Sequence, residues 1–154
     1  MSRWLITGCS TGFGREIARA ALQDGHQVVV TARSRDAVAD LADEFGDRAL
    51  PVALDVTDAR QISAAVAAAA DAWGGLDVLV NNAGHGYLSA VEEGEDAEVR
   101  KLFDVNYFGS VDVMKAVLPG MIAAGAVARR HVPLRPEPPA RESVTAERPR
   151  TSMR

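Results

Sequence analysis

Three glycines stand close together near the start of the chain, in the segment LITGCSTGFGRE at residues 5–16. They lie between an apolar run typical of a β-strand and a stretch whose apolar residues repeat at helical spacing. Glycines at such a turn let the backbone approach a ligand without an intervening β-carbon. The first N–H groups of the helix are unpaired and partly positive, which favours a phosphate. The segment therefore predicts a nucleotide-phosphate site; a turn with glycines for packing alone is the alternative.

The elements that would position this turn alternate regularly. Apolar runs predict strands at residues 3–7, 27–32, 49–56 and 76–81, with a helical pattern after each. The last of these patterns predicts a long helix from about Ala97 to Leu118. Alternation of strands and helices is typical of a parallel sheet with right-handed crossovers and helices on both faces. The expected fold is an α/β, Rossmann-type doubly wound sheet of about four strands.

Helix caps and apolar faces are also predicted from the residue pattern. Ser34 and Asp58 precede the second and third helices and have side chains suited to capping them. The apolar face predicted for the first helix contains Phe13, Ile17, Ala20 and Ala21. The apolar face predicted for the long helix contains Phe103, Tyr107, Val111, Met114 and Leu118.

Charge divides the chain into two parts. Residues 1–128 contain 10 Lys and Arg against 18 Asp and Glu, whereas residues 129–154 contain seven Arg and three Glu. The second part also contains five of the seven prolines, and it is predicted to be a disordered tail because it has too little apolar surface to offset chain entropy. Out-of-frame reading of GC-rich DNA gives such a composition, so one hypothesis is that the tail arose by a frameshift. The alternative is that the tail is a functional arm of the protein.

Overall composition excludes several classes of partner. The net charge of −4 argues against non-specific binding to nucleic acid or to an anionic membrane. A single cysteine, Cys9, excludes an internal disulfide and is typical of a reducing cytosol, so a cytoplasmic protein is expected. His26, His85 and His131 have no spacing that predicts a metal site, and each is interpreted as a solvated side chain.

Four motifs follow one another in the first 125 residues. The glycine turn reads TGxxxGxG from Thr7 to Gly14, Asp55-Val56 ends the third predicted strand, NNAG occupies residues 81–84, and Asn106 lies in FDVNYFG. In order and spacing this set resembles the short-chain dehydrogenases/reductases over roughly residues 3–125, about the first half of a typical member. The resemblance implies an oxidoreductase that transfers hydride between a carbonyl or alcohol and a nicotinamide cofactor, with residues 1–128 as its incomplete cofactor-binding domain.

The resemblance also implies roles for individual residues. Asp55 and Val56 would contact adenine, and Asn82, with Ala83 and Gly84, would lie against the cofactor ribose. Asn106 would support a proton relay to a catalytic lysine. The residues of the turn that would hold the pyrophosphate are Gly8, Cys9, Ser10, Thr11, Gly12, Phe13 and Gly14. Position 9 needs only a small residue, and no base that would make Cys9 a catalytic thiol is evident nearby.

The end of the second strand favours NADP over NAD. Members specific for NAD place an acid there to bind the adenosine ribose. In this chain Ala32 occupies that position and Arg33 follows, so a guanidinium is available to a 2′-phosphate. Asp36 is the rival acid, but it falls in the first turn of the next helix, where a carboxylate stabilises the helix dipole. A solvated Arg33 is the alternative interpretation.

The residues that would perform catalysis in the family are absent. Its Tyr-x-x-x-Lys pair has no match, because Tyr87 and Tyr107 are each followed four residues later by valine. No serine with the family's strand context follows the long helix, so Asn106 is the one member of the catalytic tetrad present. The chain by itself is predicted to be inactive. The alternatives are a non-catalytic NADP(H)-binding module or pseudo-enzyme, and an interaction protein that acts through its basic tail. No residue indicates a substrate.

The resemblance implies the strand order 3-2-1-4, which leaves the fourth strand at an edge. An apolar edge strand is a site for pairing or aggregation. The long helix would also expose apolar surface. A homo-oligomer or an aggregating chain is therefore expected.

Overall fold

The computed structural model describes residues 1–125, so the expectations for the tail at residues 129–154 lie outside the described residues. Four strands form one parallel sheet in the order β3-β2-β1-β4. The strands are β1 (Arg3–Ile6), β2 (Gln27–Ala32), β3 (Ala49–Ala53) and β4 (Val78–Val80). The helices are α1 (Gly12–Gln23), α2 (Ala39–Phe45), α3 (Ala59–Trp73), α4 (Asp96–Phe103) and α5 (Ser110–Ala123). The predicted Rossmann-type sheet and its strand order are confirmed.

Alternate residues of the central strands pack against opposite layers of helices. Leu5 and Val29 point to the face that α3 and α5 cover, where Val113 and Val117 complete the core. The intervening residues point to the other face, which α1 and α2 cover; they include Ile6, Val28 and Val30. All of these side chains are almost fully buried. Burial on both faces explains why β2 is a continuous apolar run.

Two predicted helix starts have different outcomes. Asp58 caps α3 as expected, because its Oδ1 atom accepts a hydrogen bond of 2.9 Å from the backbone N–H of Arg60. The prediction for Ser34 is wrong, since its side chain makes no capping hydrogen bond. A 3₁₀ turn at Arg35–Val38 comes first, and its backbone N–H of Ala37 bonds to the carbonyl oxygen of Ser34.

The apolar face predicted for α1 is wrong at three of its four positions. Ala21 is buried, but Ile17 and Ala20 are exposed, and the Phe13 side chain is 85% exposed. The helix packs through Gly14, Ala18 and Leu22 instead. Small residues on this face bring α1 close to the sheet, and Phe13 is left at the mouth of the turn before it.

The long helix is interrupted by a π-helical segment at Asp104–Gly109 between α4 and α5. Val113, Val117 and Met121 of α5 face the core, whereas most of the predicted apolar face lies outside: Phe103, Tyr107, Met114 and Leu118 are between 39% and 57% exposed. The helix is apolar on two sides, and periodicity alone selected the wrong side. The π segment also changes the rotation between α4 and α5.

The sheet ends in β4, whose three residues are half-buried and pair with β1 alone. The edge strand β4 and the exposed aromatic side chains of the long helix form the apolar surface that was expected. Self-association through it stays a prediction. Among residues 1–125, no helix has the length and apolar character needed to cross a membrane.

Candidate functional site

The turn between β1 and α1 has a backbone that requires glycine. Gly8 and Gly12 have φ angles of +72° and +63°, in the left-handed region. A Cβ atom on Gly8 would lie 2.9 Å from the Cα atom of Ala83. A Cβ atom on Gly14 would overlap the Asn82 side chain and the carbonyl oxygen of Gly8. The turn is therefore packed tightly against the segment after β4, while Gly12 has open space around it.

Thr7 and Asn82 join the turn to the end of β4. The Nδ2 atom of Asn82 donates to the carbonyl oxygens of Thr7 and Gly8, at 2.9 and 3.0 Å. The buried hydroxyl of Thr7 accepts from the backbone N–H groups of Asn82 and Ala83, both at 2.9 Å. The Asn82 side chain thus braces the glycine turn as well as lining the cleft beside it. The buried polar groups at this junction are satisfied.

A cleft of about 690 Å³ opens at the carboxyl ends of the strands. Its size is in the range of natural small-molecule sites. It brings together predicted residues from the glycine turn after β1 and from the segments that follow β2, β3 and β4. These residues are Gly8, Ser10, Thr11, Phe13, Arg33, Asp55, Val56, Asn82, Ala83 and Gly84. Gly12, Gly14, Cys9 and Asn106 are not part of this wall.

Charge in the cleft is divided between Arg33 and Asp55. Arg33 follows β2 and its side chain is exposed. Asp55 follows β3, and the pKa of its carboxyl group lies below the ordinary value, first because Thr57 donates a side-chain and a backbone hydrogen bond to it, and to a smaller degree because Arg33 is positive. Asp55 is therefore a carboxylate at neutral pH, and its oxygens are hydrogen-bond acceptors.

Cys9 lies beneath the turn and is fully buried. Its thiol donates to the carbonyl oxygen of Ile6 at 3.2 Å, and burial raises the pKa of the thiol to about 11. A thiol in this state is a poor nucleophile. Full burial of the side chain agrees with the expectation that position 9 needs only a small residue.

Asn106 lies in the π-helical segment and holds the loop after NNAG. Its Oδ1 atom accepts from the backbone N–H of His85 at 3.0 Å, and its Nδ2 atom donates to the His85 carbonyl oxygen at 2.8 Å. The imidazole of His85 is exposed at the cleft. Asn106 therefore positions the wall of the cleft that contains His85. Single π-helical turns such as the one around Asn106 are frequent at functional sites.

Sequence reasoning did not assign five contributors to the cleft: Ala32, Leu54, Thr57, His85 and Val105. Thr57 had a local signal, because an Asp followed two residues later by a hydrogen-bonding residue is typical of an Asx turn. Thr7 is the first residue of the glycine turn motif, but its hydrogen bonds depend on β4, which lies 73 residues further along the chain. The other positions have no local signal, because only the fold brings them to the cleft.

The residues present fit a dinucleotide. The glycine turn leaves open space at Gly12, and the Thr11 side chain does not cap α1, so the first N–H groups of that helix have no side-chain acceptor from Thr11. These groups are suited to a pyrophosphate. An exposed guanidinium and a carboxylate acceptor lie further along the same cleft. Among residues 1–125, no three metal-ligating side chains cluster.

The family model for short chain dehydrogenase matches residues 3–129, and the chain belongs to this family. The protein "Oxidoreductase BOA17" from Botryotinia fuckeliana is 44% identical over 117 residues, which are 75% of this chain and 43% of that protein. "NADP-dependent 3-hydroxy acid dehydrogenase YdfG" from Escherichia coli K12 is 37% identical over 121 residues, 77% of this chain and 48% of that protein. The chain therefore spans about half the length of these relatives.

Solved structures show the same fold. A short-chain dehydrogenase from Streptomyces avermitilis matches with a TM-score of 0.77 and 43% identity, over 81% of this chain and 47% of that one. L-Sorbose reductase from Gluconobacter frateurii, solved with NADPH and L-sorbose, matches with a TM-score of 0.73 and 33% identity, over 80% and 49%. A Brucella melitensis 3-ketoacyl-(acyl-carrier-protein) reductase, solved with NADH, matches with a TM-score of 0.77 and 35% identity, over 81% and 52%.

Proposed function

We propose that this chain binds NADP(H) in the cleft at the carboxyl edge of its sheet, as the cofactor-binding half of a short-chain oxidoreductase, and does not transfer hydride by itself. The observation that supports binding most directly is the brace between Asn82 and the glycine turn. It holds Gly8 in its left-handed conformation beside the start of α1 through hydrogen bonds within the chain. A preorganised site of this kind loses little entropy when the pyrophosphate binds.

Within the proposed site, each strand end has one task. The turn after β1 binds the pyrophosphate, Arg33 after β2 binds the 2′-phosphate, and Asp55 with Val56 after β3 binds adenine. The segment from Asn82 to Gly84 lies along the second ribose. Nicotinamide bound there would supply or accept the hydride only where a proton donor is also in place. The single buried cysteine agrees with a cytoplasmic location, which is part of the proposal.

Absence of turnover follows from the side chains that hydride transfer requires. A carbonyl that accepts hydride needs a proton donor at its oxygen, and a positioned donor accelerates such reactions by about 10²–10⁴-fold. The chain contains two tyrosines and two lysines, and neither tyrosine is followed four residues later by lysine. The Asn106 side chain forms hydrogen bonds with the backbone of His85. The tyrosine and lysine that would complete a proton relay with it have no match in the chain.

A titration beside a turnover assay tests this proposal. The full 154-residue chain is expected to melt at a higher temperature in the presence of NADPH, because a ligand that binds only the folded state stabilises it. With a panel of aldehydes and ketones, it is expected to oxidise no NADPH above the buffer rate. Robust carbonyl-dependent oxidation would contradict the second half of the proposal, and an unchanged melting temperature at millimolar NADPH would contradict the first.

Selectivity for NADP depends on Arg33. Replacing Arg33 with alanine is expected to weaken NADPH binding by about 10- to 100-fold, because a charge-assisted bond to the 2′-phosphate is lost. NADH binding should change by less than about twofold, since NADH has no such phosphate. Isothermal titration calorimetry measures both affinities.

Arg35→Ala is the matched control, because Arg35 is an exposed arginine two residues further on that does not line the cleft. It should leave both affinities unchanged. Equal losses for NADPH and NADH in Arg33→Ala would contradict the assignment of the 2′-phosphate to Arg33.

A further inference from the structure

Asp55 is held from three directions by the segment that leads into α3. Its backbone N–H donates to Oε1 of Gln61 at 2.9 Å. Its Oδ1 atom accepts from the backbone N–H and the hydroxyl of Thr57, at 2.9 and 2.7 Å. Gln61 in turn donates from Nε2 to the Oδ2 atom of Asp58, the residue that caps α3. The backbone of Asp55 is thus connected through Gln61 to the start of α3, while its carboxylate is held by Thr57.

The two oxygens of this carboxylate are not equivalent. Oδ1 has two donors from Thr57, whereas Oδ2 has no hydrogen-bond partner among residues 1–125. Asp55 lines the cleft, and Thr57 stands at the same wall with an exposed side chain. A carboxylate with one oxygen occupied keeps a single free acceptor in a fixed orientation, because rotation about its side-chain bonds would break both bonds to Thr57.

We infer that Thr57 is a positioning residue for base recognition: by holding Oδ1 of Asp55, it presents Oδ2 to the exocyclic amino group of adenine. This inference rests on the proposed function and extends it from binding to selection of the base. The amino group at C6 of adenine is a donor and complements the carboxylate. Hypoxanthine has a carbonyl oxygen at the same position, and two acceptors repel each other. The site therefore discriminates against a hypoxanthine dinucleotide.

The electrostatics of the segment agree with this geometry. The two hydrogen bonds from Thr57 are the main reason that the pKa of Asp55 is lowered. A lowered pKa keeps the group acceptor-only as the pH falls towards its ordinary value. Removing the Thr57 hydroxyl should raise this pKa, so that the preference for adenine is lost at a higher pH than in the unchanged chain.

The test compares NADPH with its reduced hypoxanthine analogue by isothermal titration calorimetry on the full chain. The unchanged chain is expected to bind NADPH about tenfold more tightly than the analogue. Thr57→Val, which keeps the backbone N–H and removes the hydroxyl, is expected to lower this ratio about three- to tenfold. Thr57→Ser restores the hydroxyl and should restore the ratio. A merely structural role would change both affinities together and leave their ratio unaltered.

Ser63→Ala is the matched control, because Ser63 is an exposed hydroxyl residue of α3 whose side chain donates to the carbonyl oxygen of Ala59 in the same helix. It should leave the ratio unchanged. A ratio unaltered in Thr57→Val, or not restored in Thr57→Ser, overturns the role of Thr57 while NADPH binding stands. Equal binding of the two dinucleotides by the unchanged chain overturns base selection by Asp55. Binding of neither overturns this inference and the proposed function together.

Discussion

Replacing Gly12 with aspartate is expected to abolish NADP(H) binding, with a loss of about 100-fold or more, while the chain still folds. A carboxylate at this position would stand beside the negatively charged pyrophosphate at the start of α1. The fold should survive, because a Cβ atom on Gly12 meets nothing within 4 Å. Its φ of +63° is a conformation that aspartate and asparagine tolerate better than other residues with a β-carbon.

Gly12→Asn separates charge from bulk in this experiment. Asparagine has nearly the same size and the same tolerance of the left-handed conformation, but it has no charge. It should lose affinity only through the closer side chain, about tenfold or less. The thermal shift with NADPH and the calorimetric affinity measure both variants. Equal affinities for the Asp and Asn variants would contradict the location of the phosphates at this turn.

Replacing Gly109 with alanine is expected to destabilise the chain by about 1–3 kcal/mol. A Cβ atom there would lie 2.7 Å from Cγ2 of Val56 and 2.9 Å from its carbonyl oxygen. The second of these atoms belongs to the backbone, so the π-helical segment and the end of β3 must move apart. Because Val56 lines the cleft, cofactor affinity should fall as well. Urea denaturation gives the change in the free energy of unfolding.

Gly120→Ala provides the comparison within the same long helix. Gly120 is exposed and a Cβ atom on it meets nothing within 4 Å. Alanine is the better helix former, so this variant is expected to be more stable by about 0.5–1 kcal/mol. The two alanine substitutions should therefore change the free energy of unfolding in opposite directions. If Gly109→Ala were as stable as Gly120→Ala, the contact with Val56 would not restrict this position.

The fold was predictable because its signals are local or recur along the chain. The continuous apolar run of β2 indicated burial on both faces, and the Asp58 cap was identified from residue type and position. Helix faces were harder to predict. Phe13 was assigned to an apolar face that the structure exposes, because small residues such as Ala18 make the close contact with the sheet. Tyr107 is exposed because the long helix packs through a different apolar side, which includes Val113. Periodicity finds an apolar face but does not distinguish a packed face from an exposed one.

The location of the candidate site residues was predictable because the carboxyl ends of parallel strands meet at one edge of the sheet. Arg33, Asp55 and Asn82 line one cleft, as expected from three separate strand ends. The use of the Asn82 amide to brace the turn was not predictable, since it depends on the exact distance between two strand ends. Thr57 was not predicted for a different reason: it contacts Asp55 through hydrogen bonds and lies just outside the Asp55-Val56 motif.

The brace between Asn82 and the glycine turn also determines when the chain acquires its site during synthesis. The hydrogen bonds from Asn82 join residues 75 and 74 positions apart. Strand β1, the glycine turn and α1 leave the ribosome long before Asn82 does, and contacts between distant residues form late because a long loop must close first. The nascent chain therefore contains the residues of the proposed phosphate-binding turn before the turn has its folded shape, which requires β4 to pair with β1. We expect a dinucleotide bound at the proposed site to stabilise only chains in which β1 is already paired with both β2 and β4.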